Sequence, residues 1–371
     1  MPALLRSLQG EGVVHQVRTR VGHGAWLVTG YDEVRRLFDD DRLGRAHADP
    51  DNAARSGESA LFGGPLGDFD TEKVDHARMR SLLQPHFTPK RMRALRQRVQ
   101  SLTTELLDDL AQQSPPADLH AALALPLPIQ VICELLGVPY ADRARFRAWS
   151  EAAGDVVDRS RSEQGLGDLF GYGLELVERK RRDPGDDVIS RFCSTEGLGD
   201  NEIAMLSMAL LFAGHETTVR QLGFGAVLLF TNPDQWRALR EDPDLLPGAV
   251  DEIMRAPGTG SGGIPRYART DFDLAGVTIR AGDLVLLDNT AANHDAAVFA
   301  DPDLFDVTRS SASAHLAFGH GARYCIGAPL ARIELQVAFA ALIDRFPAMR
   351  LAVPIDDLTI RDDLVELPVT W

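Results

Sequence analysis

A mainly α-helical chain with a smaller β-rich region is the fold class the sequence predicts, on three observations. Apolar residues recur at three- and four-residue spacing from Asp75 to about Asp158, as in Leu95, Val99, Leu102, Leu106, Leu107 and Leu110, which is the pattern of amphipathic helices. The same periodicity over Asn201 to Phe230 predicts one continuous helix roughly 45 Å long. From Tyr267 to Leu287 the pattern turns strand-like through Phe272, Leu274, Val277, Ile279, Val285 and Leu287, with turn signals at Ala275-Gly276 and Ala281-Gly282.

In chain order, Gly24 to Gly30 reads as a short strand or hairpin and Tyr31 to Phe38 as a helix. Residues 45 to 72 are rich in Gly, Pro, Asp and Ser, so they form a long loop of the kind that shapes a site. The helices that follow break at Pro115-Pro116 and near Pro126 and Pro128. The Asn201–Phe230 helix is apolar on more than one face, which in a globular protein means burial at the centre. Its polar cluster His215-Glu216-Thr217-Thr218 is the exception. A last helix from about Cys325 to Phe346 precedes a short β-type tail. No repeat or low-complexity linker divides the chain, so residues 1–371 read as a single domain.

Composition narrows the function. Thirty-nine Lys and Arg against 54 Asp and Glu leave a net charge of −15, which argues against an extended grip on nucleic acid. Cys133, Cys193 and Cys325 are an odd, widely spaced set that forms neither a disulfide framework nor a paired metal knuckle. A reducing, cytoplasmic setting fits such cysteines. The first fifteen residues lack the apolar run of a secretory leader. The longest apolar stretch, Ile203 to Gly214, falls short of the ~20 residues of a membrane span.

Three local patterns carry chemistry. In Phe318-Gly319-His320-Gly321-Ala322-Arg323-Tyr324-Cys325-Ile326-Gly327, two glycines before the cysteine permit a tight turn or close backbone approach to a flat ligand. Cys325 is predicted to open the final helix, where unpaired N–H groups and the dipole favour a thiolate, a plausible metal ligand. Glu252 and Arg255 stand three apart on a helix and can pair. In Ala213-Gly214-His215-Glu216-Thr217-Thr218, an acid and a hydroxyl in a buried helix carry a desolvation cost that packing alone would not favour. Gly214 weakens the helix by roughly 1 kcal/mol relative to Ala, which points to close approach of something bulky; the alternative is a helix kink with Thr side chains bonded back to carbonyls.

The cysteine run resembles the haem-binding loop of the cytochromes P450, F-G-x-G-x-[HR]-x-C-x-G, with Phe318, Gly319, Gly321, Arg323, Cys325 and Gly327 at its specified positions. Ala213 to Thr218 is similar to the family's oxygen-activation motif, Glu252-x-x-Arg255 to its E-x-x-R pair, and His76-x-x-x-Arg80 to its H-x-x-x-R haem contact. These stand in the family's order. The resemblance implies a triangular prism with haem b between the central helix and the helix after the cysteine loop. It implies Cys325 as the iron ligand, with Ala213, Gly214, Phe318, Gly319 and Gly327 against the haem. Propionates would meet His76, Arg80, Arg266 and Arg323, and Arg309 would join Glu252 and Arg255 in a structural ion pair. Glu216 would relay protons and Thr217 would hydrogen-bond the oxygen ligand. The chemistry implied is a monooxygenase that uses O2 to hydroxylate or epoxidise a small secondary-metabolite scaffold, as in antibiotic biosynthesis. Electrons would come from NAD(P)H through a ferredoxin or flavodoxin, to a monomer with no membrane or nucleic-acid partner.

Rival readings differ in kind. An oxidase of the same fold would couple rings or form C–C or C–N bonds without oxygen insertion, and a haem-binding sensor would have no use for Glu216 and Thr217. Gly258 to Gly263 contains a literal G-x-G-x-x-G, but it follows a helix end instead of a strand. His215-Glu216 lacks the second histidine of a zinc protease, and no G-x-S-x-G elbow occurs.

Overall fold

The computed structural model describes residues 1–257, 263–358 and 366–371. Near the amino terminus, β1 (Val14–Arg18) and β2 (Gly24–Val28) pair antiparallel, with Val14 opposite Val28. Helix α1 (Tyr31–Phe38) follows, and β3 (Leu43–Gly44) leads into the long loop. Helices α2 (Glu72–Leu83), α3 (Pro89–Ala111), α4 (Pro126–Leu136), α5 (Arg143–Ala153) and α6 (Arg159–Arg182) come next. Among these the apolar positions close the core, with Leu107, Leu110, Leu136, Phe146 and Tyr172 buried.

The central segment departs from the sequence expectation. Two helices, α7 (Asp200–Ala213) and α8 (Glu216–Thr231), stand where one was predicted, separated at Gly214 and His215. Hydrophobic periodicity continues across the break, so a reading by period cannot register it. Side chains that capture main-chain carbonyls interrupt the ladder, as described below. Helix α9 (Leu246–Arg255) then precedes β4 (Ile264–Ala268) and β5 (Leu284–Leu287). Between those strands lies a two-stranded hairpin, Phe272–Leu274 with Val277–Ile279. Its tip, Ala275-Gly276, has φ of 48° and 81°, the pair of positive values a tight two-residue hairpin needs.

The main sheet runs β1-β2-β5-β4-β3. β5 is parallel to β2 and antiparallel to β4, with Val285 between Trp26 and Arg266. As the central strand it is buried at every residue, as a strand covered on both faces requires. β3 pairs β4 so that Gly44 faces Tyr267, which brings Arg45 beside Arg266.

The last helix, α10 (Ala328–Arg345), begins three residues after Cys325 rather than at it. Pro329 accounts for the start: its fixed φ and missing N–H suit the first turn of a helix. α10 packs against α3, α8 and α9, with Leu335, Ala338 and Phe339 fully buried. No described helix is long and apolar enough to cross a membrane.

Beneath α10 the Arg255 side chain is wholly buried. Its guanidinium donates to both carboxylate oxygens of Glu252 (2.7 and 2.8 Å) and to the carbonyls of Asn293, Pro302 and Leu304. Arg309 Nε reaches Glu252 Oε1 at 3.2 Å, and the Asp306 N–H adds a further bond at 3.0 Å. Every charge in this cluster has a partner, the condition under which buried ions are tolerated. Replacing Arg255 by Leu leaves Glu252 undercompensated and is expected to cost ~3–5 kcal/mol, read as a lower urea midpoint. Unchanged stability would show that the cluster is not a structural anchor.

Candidate functional site

The cysteine loop is closed by a hydrogen bond from Cys325 N–H to the Phe318 carbonyl at 2.9 Å. Between these residues Gly319 and Gly321 have φ of 71° and 66°, a region that costs other residues strain. At Gly321 space is short as well, because a Cβ there would lie 1.9 Å from Asp39 Oδ1. That carboxylate accepts from the Ala322 N–H at 3.1 Å, so the residue after α1 holds the loop from outside. Gly327 has ordinary helical φ and a Cβ there would meet only Cys325 Sγ, at 3.8 Å. Phe318 is buried under the loop, with the Arg332 guanidinium 4.6 Å from its ring centre.

Cys325 is exposed although protein surrounds its sulfur. Burial pushes its thiol up, while N–H groups of Gly327 and Ala328 and the charges of Arg80 and Arg332 pull it down. A bound cation at Sγ would tip that balance to the thiolate. Cys133 and Cys193 are free, and burial pushes both thiols up, Cys133 to about 12.

Around one carboxylate the structure gathers an excess of positive charge. Glu72, His76 and Arg80 lie four apart on α2, hence on one face. Glu72 is buried and accepts from the N–H groups of Arg45 and Ala46 (2.7 and 3.1 Å), from Arg269 (3.3 Å) and from Arg323. Arg266 is 6% exposed, and its one side-chain hydrogen bond among the described residues goes to the carbonyl of Pro265. Burial, with repulsion from Arg45 and Arg323, pulls its guanidinium down to about 9. Arg45 is lowered by burial and by Arg323, and its Nε is buried without a partner. His76 is lowered by burial and by Arg323, Arg80 and Arg266. Arg80 donates to the Tyr324 carbonyl at 2.9 Å, beside Cys325.

Such a set, with Glu72 as its named counter-charge, fits a dianionic prosthetic group lying against the cysteine. Buried cations require anions, yet the side chains of Arg266 and Arg45 donate only to the carbonyls of Pro265 and Leu61 among the described residues, and Arg45 Nε has no partner there. His76, Arg80, Arg266 and Arg323 were singled out in the sequence and converge here. Arg45, Glu72 and Asp39 were not, because each becomes relevant only through strand pairing or tertiary approach. Three or more His, Cys, Asp or Glu side chains poised for a metal ion do not occur together among the described residues.

At the central break the exposed residues are Ala213 and Thr217, while His215 and Thr218 are buried and Glu216 is partly so. The Thr217 hydroxyl donates to the Ala213 carbonyl at 3.1 Å. A Cβ at Gly214 would fall 2.5 Å from Ile132 Cδ1, so the close approach expected at this glycine is made by α4. His215 turns inward against Phe146 of α5, edge-on at 5.6 Å. Residues 258–262 of the glycine-rich stretch lie outside the described residues.

Comparison with known proteins follows the geometry. The family model for cytochrome P450 matches residues 172–350. Pentalenolactone synthase of Streptomyces exfoliatus is 43% identical, over 99% of this chain and 95% of its own. Mycinamicin IV hydroxylase/epoxidase of Micromonospora griseorubida is 40% identical, over 98% and 94%. Among solved structures, the substrate-free PimD, a polyene macrolide antibiotic pimaricin epoxidase, superposes with a TM-score of 0.90 at 40% identity, covering 100% of this chain and 96% of its own. The putative thioether synthase SgvP gives 0.92 at 35%, covering 100% and 96%. Fold and relatives thus define a haem- and O2-dependent monooxygenase of bacterial type. The chain belongs to the cytochrome P450 family.

Gly321→Ala is expected to cost about 1–2 kcal/mol from its backbone angle alone, and more from the Asp39 clash. In an Asp39→Ala background part of that loss returns. Equal urea-unfolding losses in both backgrounds would remove Asp39 as the loop's outer support.

Proposed function

We propose that Cys325 is the thiolate ligand of haem b, that the surrounding cations hold its propionates, and that the enzyme oxygenates a secondary-metabolite scaffold. The observation that carries this reading is the convergence of Arg45, His76, Arg266 and Arg323 on one buried carboxylate next to the cysteine loop. When bound, the haem supplies reductive activation of O2 and insertion of one oxygen atom into a C–H or C=C bond.

The protein's own residues then have separate tasks. The N–H groups of Gly327 and Ala328, at the start of α10, lower the Cys325 thiol and so favour its negative charge. Arg266 and Arg323, with Arg45, His76 and Arg80, orient the cofactor's acidic edge. Thr217 stands exposed at the break with its hydroxyl tied to the Ala213 carbonyl, so its oxygen lone pairs remain free to accept a proton donor. Glu216, partly exposed on the same turn, delivers protons from solvent. Ala213 and Gly214 line the oxygen side.

Electrons are assigned to an acidic ferredoxin or flavodoxin drawing on NAD(P)H. Although the chain carries net −15, the first turns of α3 concentrate Lys90, Arg91, Arg93, Arg96 and Arg98. Arg96 reaches Gln336 of α10, so this basic stretch lies beside the helix that follows the cysteine. Opposite charge at such a surface speeds encounter. One domain and a monomer complete the proposal.

The substrate class is taken from mycinamicin and pimaricin relatives, whose names give hydroxylation and epoxidation. Likeness to SgvP, a putative thioether synthase, favours a second reading in which a bond is closed without oxygen insertion. Product mass separates the two: a gain of one oxygen against a loss of two hydrogens.

With ferredoxin and reductase supplied, Cys325→Ser is expected to abolish the long-wavelength Soret band of the ferrous carbon monoxide adduct; its persistence would exclude Cys325 as ligand. Thr217→Ala is expected to lower product per NAD(P)H by about tenfold or more, as loss of a proton-transfer group does, with peroxide rising in its place. Unchanged coupling would move proton delivery elsewhere.

A further inference from the structure

At the break between α7 and α8, two main-chain carbonyls are taken by side chains. The Leu211 carbonyl accepts from His215 Nδ1 at 2.6 Å, and the Ala213 carbonyl accepts from the Thr217 hydroxyl at 3.1 Å. In an unbroken helix the main-chain N–H groups of His215 and Thr217 would serve these same carbonyls. Here neither does: the helical ladder resumes with Gly214 N–H to Leu210 on one side and Val219 N–H to His215 on the other. The His215 backbone, at φ −120° and ψ −55°, has left helical values.

The imidazole itself is fixed from several directions. Its side chain is 1% exposed, packed edge-on to Phe146. A carbonyl oxygen can only accept, so Nδ1 carries the proton and Nε2 is the bare nitrogen. Nε2 is buried without a hydrogen-bond partner and stands 3.8 Å from Glu216 Oε1, beyond hydrogen-bond reach. The ring is therefore anchored by its Nδ1 bond and by Phe146, not by the neighbouring acid. Burial and the Arg147 charge pull it down to about 4, so it stays neutral at ordinary pH.

We propose that His215 is a positioning residue: its imidazole, seated against Phe146, occupies the Leu211 carbonyl and so holds the central helix open, which frees the next turn for Thr217 to stand as observed. Sequence comparison of motifs leaves this position unassigned, and a bulky apolar residue there would fill the same space without taking the carbonyl. The wedge itself is independent of the reaction, while its consequence for Thr217 rests on the proton-delivery reading above.

The test compares hydrogen exchange of residues 211–219 in the substrate-free holoenzyme with two variants. His215→Phe keeps the aromatic contact and loses the donor, so the residue 215 amide is expected to close onto Leu211 and exchange about fivefold more slowly, the factor one net hydrogen bond supplies. His215→Asn, whose side-chain amide can reach the same carbonyl, is expected to restore wild-type exchange. Exchange unchanged in His215→Phe overturns the wedge. Peroxide yield read on the same variants separates the two claims: slowed exchange with unchanged coupling supports the wedge and counts against a part for Thr217 in proton delivery. Should His215→Phe not accumulate as holoenzyme, 15N NMR of histidine-labelled wild-type protein in its diamagnetic carbon monoxide form decides. A resonance assigned by its absence in His215→Asn and protonated at Nδ1 is expected, and protonation at Nε2 overturns the proposal.

Discussion

Positive charge kept out of water must be met by negative charge, and the site is built around that demand. Arg266 is buried and repelled by Arg45 and Arg323, yet its one side-chain hydrogen bond among the described residues goes to the adjacent carbonyl. Glu72 spends its two oxygens on Arg323, Arg269 and the backbone of Arg45 and Ala46. No carboxylate with only two oxygens can satisfy so many donors, and desolvated cations left unmet are costly. A cofactor with two acidic arms resolves the imbalance. In its absence the cations would repel one another, so cofactor retention and folding are expected to be linked.

Much of the fold serves to assemble those charges. Pairing of β3 with β4 puts Arg45 beside Arg266, and the period of α2 aligns Glu72, His76 and Arg80. The glycine turns of the cysteine loop, gripped by Asp39, put Arg323 against Glu72 and leave Cys325 exposed two residues further on. Below, the Glu252, Arg255 and Arg309 cluster fixes the floor on which α10 rests. On the opposite side, the break at Gly214 and His215 presents Thr217.

How far the sequence reveals this depends on the range of the interaction. The fold class, the Tyr31–Phe38 helix and the hairpin turn at Ala275-Gly276 follow from local periodicity and turn chemistry. The cysteine loop is legible because its constraints are local too: positive φ at Gly319 and Gly321, and a helix start fixed by Pro329. The central break is legible only in part: apolar spacing persists across it, a kink with a Thr hydroxyl bonded back to a carbonyl is the alternative the motif offers and Thr217 makes that bond, but the histidine side chain turning back on the chain carries no local signal. The close neighbour expected at Gly214 includes Ile132, some eighty residues earlier, which no local pattern names. Arg45, Asp39 and Glu72 carry no motif. Strand register and loop approach, neither visible along one chain, make them part of the site.

Charge pairing at the acidic edge of the cofactor is tested most directly by reconstituting the protein with haem b and with its dimethyl ester, which has the same ring and iron but no propionate charge. Cofactor dissociation should be much faster for the ester, and Arg266→Leu should accelerate loss of haem b while leaving the ester's rate nearly unchanged. Equal retention of the two cofactors would contradict the pairing and return the buried arginines to an unexplained role.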